Sequence, residues 1–496
     1  MKKKKLKHEY RLQFVLSILI CIFAAIFVSR VYVRVDLTKQ KTYTLSPISL
    51  NILENLEGVA EITWFKSSGV EVHIPSLQYV KDFLTEYAAK GNCIFTVKDT
   101  GSVSQTALEK LGLAPQQIER TDKNSVMLEN LYSGLMLEYL GETRLIPFLA
   151  DTTRLEARLA RFFTEIKQDV SGGKNNRTVF LLAPPDSLNG HYRYIIPWLQ
   201  YEGFIPQVLS LPLPNLDPQV PLLVLGSGCL HEDDSMQLEL FLEKKGNAVF
   251  FVSGNTVAAM DDWSAQAKKQ DPLIELLVRH GISINASLII DILNFRMTLP
   301  SANGMQYEKI NYPFWPTVFL SAENSSLIFA GLPQLQLFWP SSVDVQNSDD
   351  TLQVLAHTSK NSITLAEPYD TNPFGKQLSL IANADNKRQV PFAAASTKKG
   401  RLIVVADENM VSTAIEYTNS DYNLGFMINC LDWICGKEQI LQLKNKQAII
   451  PPFKNFETAD KAAGIFSQAR VINFLIIPLC ILLAAISVQI VYWRKQ

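Results

Sequence analysis

The chain has 496 residues, a net charge of −1, 47% hydrophobic residues and only 19% charged ones. This composition excludes global disorder, and the charge balance argues against a nucleic-acid partner, which normally needs a concentrated basic face. A mean hydropathy of +0.06 is too low for a polytopic transporter and suits a large body with a few apolar segments.

Residues 1–13 contain Lys2, Lys3, Lys4, Lys5, Lys7 and Arg11 and read as a basic tail. The apolar run at 14–33 is just long enough to span a hydrocarbon core, which takes about 20 residues. A cleaved signal peptide is the rival reading. Phe27 ahead of Ser29 makes a poor cleavage site, so an uncleaved anchor is expected.

An N-terminal α/β domain is expected over 35–168. Ser46-Pro47 reads as an N-cap followed by proline at the first helical position, opening a helix through Ile48, Ile52 and Leu56 that ends near Gly58. Val59–Phe65 reads as a strand. Leu77, Val80, Leu84 and Tyr87 keep helical spacing up to the stop at Gly91. Cys93–Val97 is a second strand and Ser104–Leu111 a short helix. A hairpin turns at Gly141-Glu142, and Leu155–Ile166 is an amphipathic helix.

A polar linker, Ser171 to Asn176, leads into a second α/β domain over 176–440. Strands are expected at Thr178–Ala183, Gln207–Leu211, Leu222–Leu225, Ala248–Val252 and Arg401–Ala406. Helices are expected at Tyr192–Tyr201, Glu232–Lys245, Leu273–His280 and Leu424–Ile434. This alternation predicts a parallel sheet covered on both faces. The region from Ser283 to Asn347 is rich in Pro, Asn and aromatics, and Tyr312-Pro313-Phe314-Trp315-Pro316 must be extended or turning.

Residues 441–470 read as a stalk, 471–493 as a second membrane helix and 494–496 as a tail holding Arg494 and Lys495. Basic residues therefore flank both spans on their outer sides. The positive-inside rule puts both termini in the cytoplasm of a bacterial inner membrane, with the body periplasmic.

Chemistry is sparse. No GK[ST] phosphate loop occurs, so ATP hydrolysis by that route is excluded. Six cysteines include no CxxC pair, which argues against a zinc site and a disulfide framework. Gly226-Ser227-Gly228-Cys229-Leu230-His231 could offer Cys229 as a nucleophile with His231 as its base; a β–α turn with a helix cap is the plainer reading. His231, Glu232, Asp233 and Asp234 fan around a helix start and do not converge. Asp407-Glu408 follow a strand end and read as a solvated turn; Arg296 reads as a solvated strand residue. No catalytic, cofactor or metal residue is assigned, and no cofactor is expected.

Val35-Asp36-Leu37-Thr38, Tyr43-Thr44-Leu45-Ser46-Pro47 and Ile52-Leu53-Glu54-Asn55-Leu56 together resemble the opening of GldG-type proteins, auxiliary components of ABC transport systems linked to gliding motility. Tyr132-Ser133-Gly134-Leu135, Gly400 to Val405 with Asp407, and Tyr422 through Trp433 to Gly436 resemble later stretches of that family. The resemblance implies a middle domain akin to a GIFT domain, a class I amidotransferase-like sheet without a working active site. It implies a non-enzymatic subunit beside an ABC permease and a separate cytoplasmic ATPase, embedded in the lipid bilayer, with an envelope protein or polysaccharide as a further partner. An anchored solute receptor, with ligand at the carboxyl ends of the sheet strands, and a Cys229-dependent hydrolase are the alternatives.

Overall fold

The computed structural model describes residues 44–446, apart from 123–124, 151, 153, 172–176, 229, 259–262, 301–306, 321–325 and 347–349. The expected membrane helices at 14–33 and 471–493, both tails and the stalk from 447 onward lie outside the described residues, as does Cys229. Among the described residues no helix is long and apolar enough to cross a membrane. The description that follows concerns the compact unit ending at residue 447.

Helix α1 (Pro47–Glu54) starts as the sequence predicts. The Ser46 side chain accepts from the Ser49 N–H, and Pro47 sits where no intrahelical donor is needed. Strands β1 (Ala60–Lys66) and β2 (Cys93–Asp99) pair in parallel across helix α2 (Val80–Ala89). Ser104 precedes α3 (Gln105–Lys110). A hairpin not anticipated from sequence, β3 (Gln116–Asp122) with β4 (Ser125–Leu131), comes next. Strands β5 (Ser133–Tyr139) and β6 (Glu142–Ile146) form the expected hairpin and complete a sheet of order β2-β1-β5-β6. Helix α4 (Leu155–Val170) closes one face. Its Leu155, Leu159, Phe163 and Ile166 share a core with Ile62, Trp64, Leu135 and Leu137.

The second sheet is built from β7 (Thr178–Leu182), β8 (Ile205–Val208), β9 (Leu222–Leu225), β10 (Ala248–Phe251), β18 (Leu352–His357), β20 (Pro391–Ser396) and β21 (Leu402–Val405). Its order is β18-β20-β21-β10-β9-β7-β8. Alternate residues of each central strand serve two cores. Val179, Leu223, Val249 and Ile403 face helix α10 (Tyr422–Ile434). Phe180, Val224, Phe250 and Val404 face α6 (Glu232–Glu243) and α7 (Pro272–Arg279). Between β7 and β8 runs α5 (Ile195–Tyr201).

The expected parallel sheet needs one correction. β21, β10, β9, β7 and β8 are parallel, but β20 runs against them, and β18, antiparallel to β20, points the same way as the rest. Only Thr397–Arg401 separate β20 from β21, and a connection that short makes a hairpin rather than a crossover. Gly400 turns there at φ +104°, with the Gly246 carbonyl 2.8 Å from where a Cβ would stand.

The aromatic-rich region is also more regular than the sequence suggested. Strands β11 (Asn255–Ala258) and β12 (Ser264–Ala267) form a hairpin. β13 (Ile282–Asp291) pairs with β17 (Ser341–Val345) and β19 (Ser362–Leu365). β14 (Asn294–Pro300), β15 (Tyr307–Phe319) and β16 (Gln334–Gln336) form a third small sheet. Pro313 falls where β15 has left its regular ladder with β14 and not yet joined β16, which is where a strand tolerates a missing donor. A short helix, α8 (Gln377–Asn383), precedes β20, and the four-residue α9 (Ile415–Thr418) precedes α10. The expected stalk begins within a helix, α11 (Glu438–Lys446), because Ile440 and Leu443 bury against Ala157 and Ala160 of α4.

Candidate functional site

Two charged clusters stand out from the solvated surface. The first lies at the carboxyl ends of the central strands, where α/β sheets place ligands. Ser227 follows β9, Ser253 follows β10 and Glu408 follows β21. Lys268 and Asp271 come from the loop between β12 and α7. Lys268 Nζ is 2.6 Å from Glu408 Oε2 and donates to Ser227 Oγ at 3.2 Å. Ser227 in turn donates to Asp271, which also caps α7 through the Leu273 and Ile274 N–H groups. The Glu408 N–H donates to Ser253 Oγ at 2.8 Å.

At the crevice between β7 and β9, where the strand order reverses, side chains from three segments surround Gly226. A Cβ on Gly226 would meet Tyr192 Oη at 3.4 Å, Glu408 Oε2 at 3.5 Å and Pro184 at 3.7 Å. The carboxylate of Asp271 is committed to a cap and to Ser227, and that of Glu408 to a lysine. The cluster therefore locks loops together and leaves no unengaged base beside Ser227 among these residues.

Asp407 corrects the expected solvated turn. It is fully buried and accepts from the Phe338 N–H at 2.7 Å and the Asn409 N–H at 3.0 Å. Burial pushes its carboxyl well above the ordinary range, and those two N–H groups only partly offset this. Arg296 is exposed on β14, as expected, and donates to Asn311. His231 precedes α6, its backbone N–H held by Asp234 at 3.1 Å. Among the described residues no group of three or more His, Cys, Asp or Glu is placed to hold a metal.

The second cluster was not anticipated. Arg161 of α4 meets Asp432 of α10 at 2.5 Å, and Lys444 of α11 meets the same Asp432 oxygen at 3.0 Å. Lys444 also donates to Asn429 at 2.9 Å, and Lys437 lies 3.4 Å from Glu165. Arg158 adds a contact to Glu202 at 3.2 Å while lying over the Tyr201 ring. Burial opposes ionisation of Asp432, but Arg161 and Lys444 outweigh it and hold the carboxyl down at about 2. Glu202 is held at about 2 in the same way, by Arg158 and Lys444 against its burial. Glu165 goes the other way: burial raises it, and Lys437 and Arg161 do not fully compensate. Arg161 Nη1, Glu165 Oε2 and Asp432 Oδ1 remain buried without a protein hydrogen-bond partner. A sequence signal existed. Leu155, Ala157, Leu159, Ala160, Phe162, Phe163 and Ile166 occupy more than one face of α4, so Arg161 and Glu165 had little solvent left to reach.

This cluster ties three segments into one base. The Ser46 N–H donates to Glu156 at 2.7 Å, in the first turn of α4. Ile440 and Leu443 of α11 form a small apolar cluster with Ala157 and Ala160, against which Ile48 and Ile52 pack. The first and last described elements thus both rest on the first two turns of α4.

The model of a family described as an ABC-type uncharacterized transport system matches residues 176–430, more than half of the chain. The chain belongs to this family. Membership places it in an ABC-type transport system, alongside permease and ATPase components. The match takes in the whole seven-stranded sheet and most of α10. A model for a domain of unknown function matches residues 39–138, from before α1 into β5. The chain is also similar to an uncharacterized protein of Borreliella burgdorferi, with 22% identity over 515 positions that cover 97% of each chain. Arg161, Asp432 and Lys444 lie between or beyond the two matched ranges.

Proposed function

We propose that the chain is a non-catalytic, membrane-anchored auxiliary subunit of its transport system, of the gliding-motility-associated GldG type with a GIFT-like middle domain. The apolar segments 14–33 and 471–493 anchor it, both termini are cytoplasmic, and the body works on the periplasmic side. The observation that carries this reading is the convergence of the body's first and last elements on the start of α4. A body whose two ends emerge together can be held by two spans in one bilayer without distortion.

Purification of the full chain from its native membrane in a mild maltoside detergent is the test. A multi-span permease and an ATPase should co-elute with it. A chain that elutes alone overturns the assignment. Replacing Cys229 with serine should leave transport unchanged; loss of transport with assembly intact would revive the hydrolase.

A further inference from the structure

A hollow of about 320 Å³ lies between α5 and the segment leading into α10. Its floor is apolar, from Ile415 and Leu424, and Tyr194 and Trp198 supply aromatic walls. Tyr194 immediately precedes α5 and Trp198 is four residues on, so both rings project from one side of that helix. The rim carries two carboxylates, Glu416 and Asp421, and no cationic residue lines the hollow. Asp421 precedes α10 but its side chain caps none of that helix's N–H groups. The positive end of α10 amounts to about half a unit charge, less than the full charge of Asp421 alone.

The protein's own Arg193 shows what such a surface attracts. Its guanidinium lies 5.2 Å from the Tyr194 ring centre and 2.6 Å from Glu416. Both partners of that pair are about half exposed, so the arginine sits at the mouth and engages one of the two carboxylates. Asp421 and the Trp198 face remain. Electron-rich ring faces beside a carboxylate hold an alkylated or primary ammonium group better than they hold a neutral or anionic one.

We propose that this hollow is a binding site for an organic cation, an ammonium group lodged against Tyr194 and Trp198 and neutralised by Asp421. The cation is either a small free solute or a basic side chain of a partner protein; the chemistry at the site is the same. The Arg193 guanidinium competes weakly for the same mouth. The inference does not depend on the subunit assignment above, and its test does not involve the permease.

The test uses the full chain, 15N-labelled, in maltoside detergent, with the Trp198 indole N–H signal assigned through Trp198→Phe. Choline chloride should shift that signal saturably, and sodium chloride at equal ionic strength should not. The uncharged isostere 3,3-dimethylbutan-1-ol should bind at least about tenfold more weakly, since it keeps the shape and loses the charge. Asp421→Asn should weaken choline by a similar factor, whereas Arg193→Gln, which removes the internal competitor, should tighten it. A purely structural role for Asp421 would not produce opposite effects from these two surface changes. N-acetyl-lysine amide binding more tightly than choline assigns the source to a protein side chain, and the reverse assigns it to a solute. No shift with either cation, equal binding of the uncharged isostere, or indifference to Asp421→Asn overturns the proposal.

Discussion

The Lys268–Glu408 cluster and the Arg161–Asp432 cluster both pair a cation with a carboxylate at similar distances, yet they sit in different media. Lys268 and Glu408 keep 11% and 17% of their side-chain surface, whereas Arg161 keeps 3% and Asp432 none. At the sheet's carboxyl end a charge that loses its partner can still turn toward water. At α4 it cannot, so each charge there is obliged to find another. The first cluster fastens loops of one sheet to one another. The second joins the last helix of the first sheet's layer to the two helices that end the body.

That difference is broken most sharply at Arg161. Arg161→Met should cost roughly 3–5 kcal/mol in chemical denaturation, because it breaks a buried ion pair and leaves Asp432 with Lys444 as its remaining cation. Replacing Arg161, Asp432 and Lys444 together by Met, Leu and Met should recover most of that loss, since buried ion groups are often no better than apolar ones of similar size. Failure to recover would mean the hub fixes the arrangement of α4, α10 and α11 and does more than balance charge.

The same hub sets an acid limit. Asp432 and Glu202 are depressed to about 2, so their contribution is full above the ordinary carboxylate range near pH ~4. It is lost as pH falls from there toward 2. Glu165, raised by burial, acts in the opposite sense: its cost appears as pH rises through its elevated value. Thermal unfolding followed from pH 5 to 2.5 should therefore show a steep fall in the native chain and a shallower one in Asp432→Asn.

Lys268→Met should cost less, about 1–3 kcal/mol, the penalty for unpairing a partly wet group. If it matches Arg161→Met, the contrast in burial is not what governs the two sites. The smallest effect is expected at the base. Ser46→Ala removes the cap of α1 and should cost about 1 kcal/mol, read as a small drop in Tm with no change in cooperativity.

Local signals were legible in the sequence where they acted alone. Ser46-Pro47 announced a helix start, Gly141-Glu142 a hairpin, and the Thr178, Leu222 and Ala248 runs announced central strands. The β3–β4 hairpin carried no such signal, since Gln116–Asp122 has neither alternation nor an apolar run. β13, β17 and β19 were hidden because they pair across long separations, and β15 because Pro313 and Pro316 argued locally for irregular chain. The Asp407-Glu408 pair looked solvated because adjacent carboxylates usually are. The partner of Asp407 at the Phe338 N–H, 69 residues away in sequence, is visible only in the folded chain.

The sequence by itself determined the alternation of strands and helices, the caps, and the clustering of apolar and basic residues at the two tips. Those are properties of short stretches, where spacing and side-chain type act directly on the backbone. Only long-range pairing set that β20 runs against the rest of its sheet, that Asp407 is buried, and that Arg161, Asp432 and Lys444 meet. Pairing between residues 271 positions apart is set by which faces must leave water together, and that is a property of the packed whole.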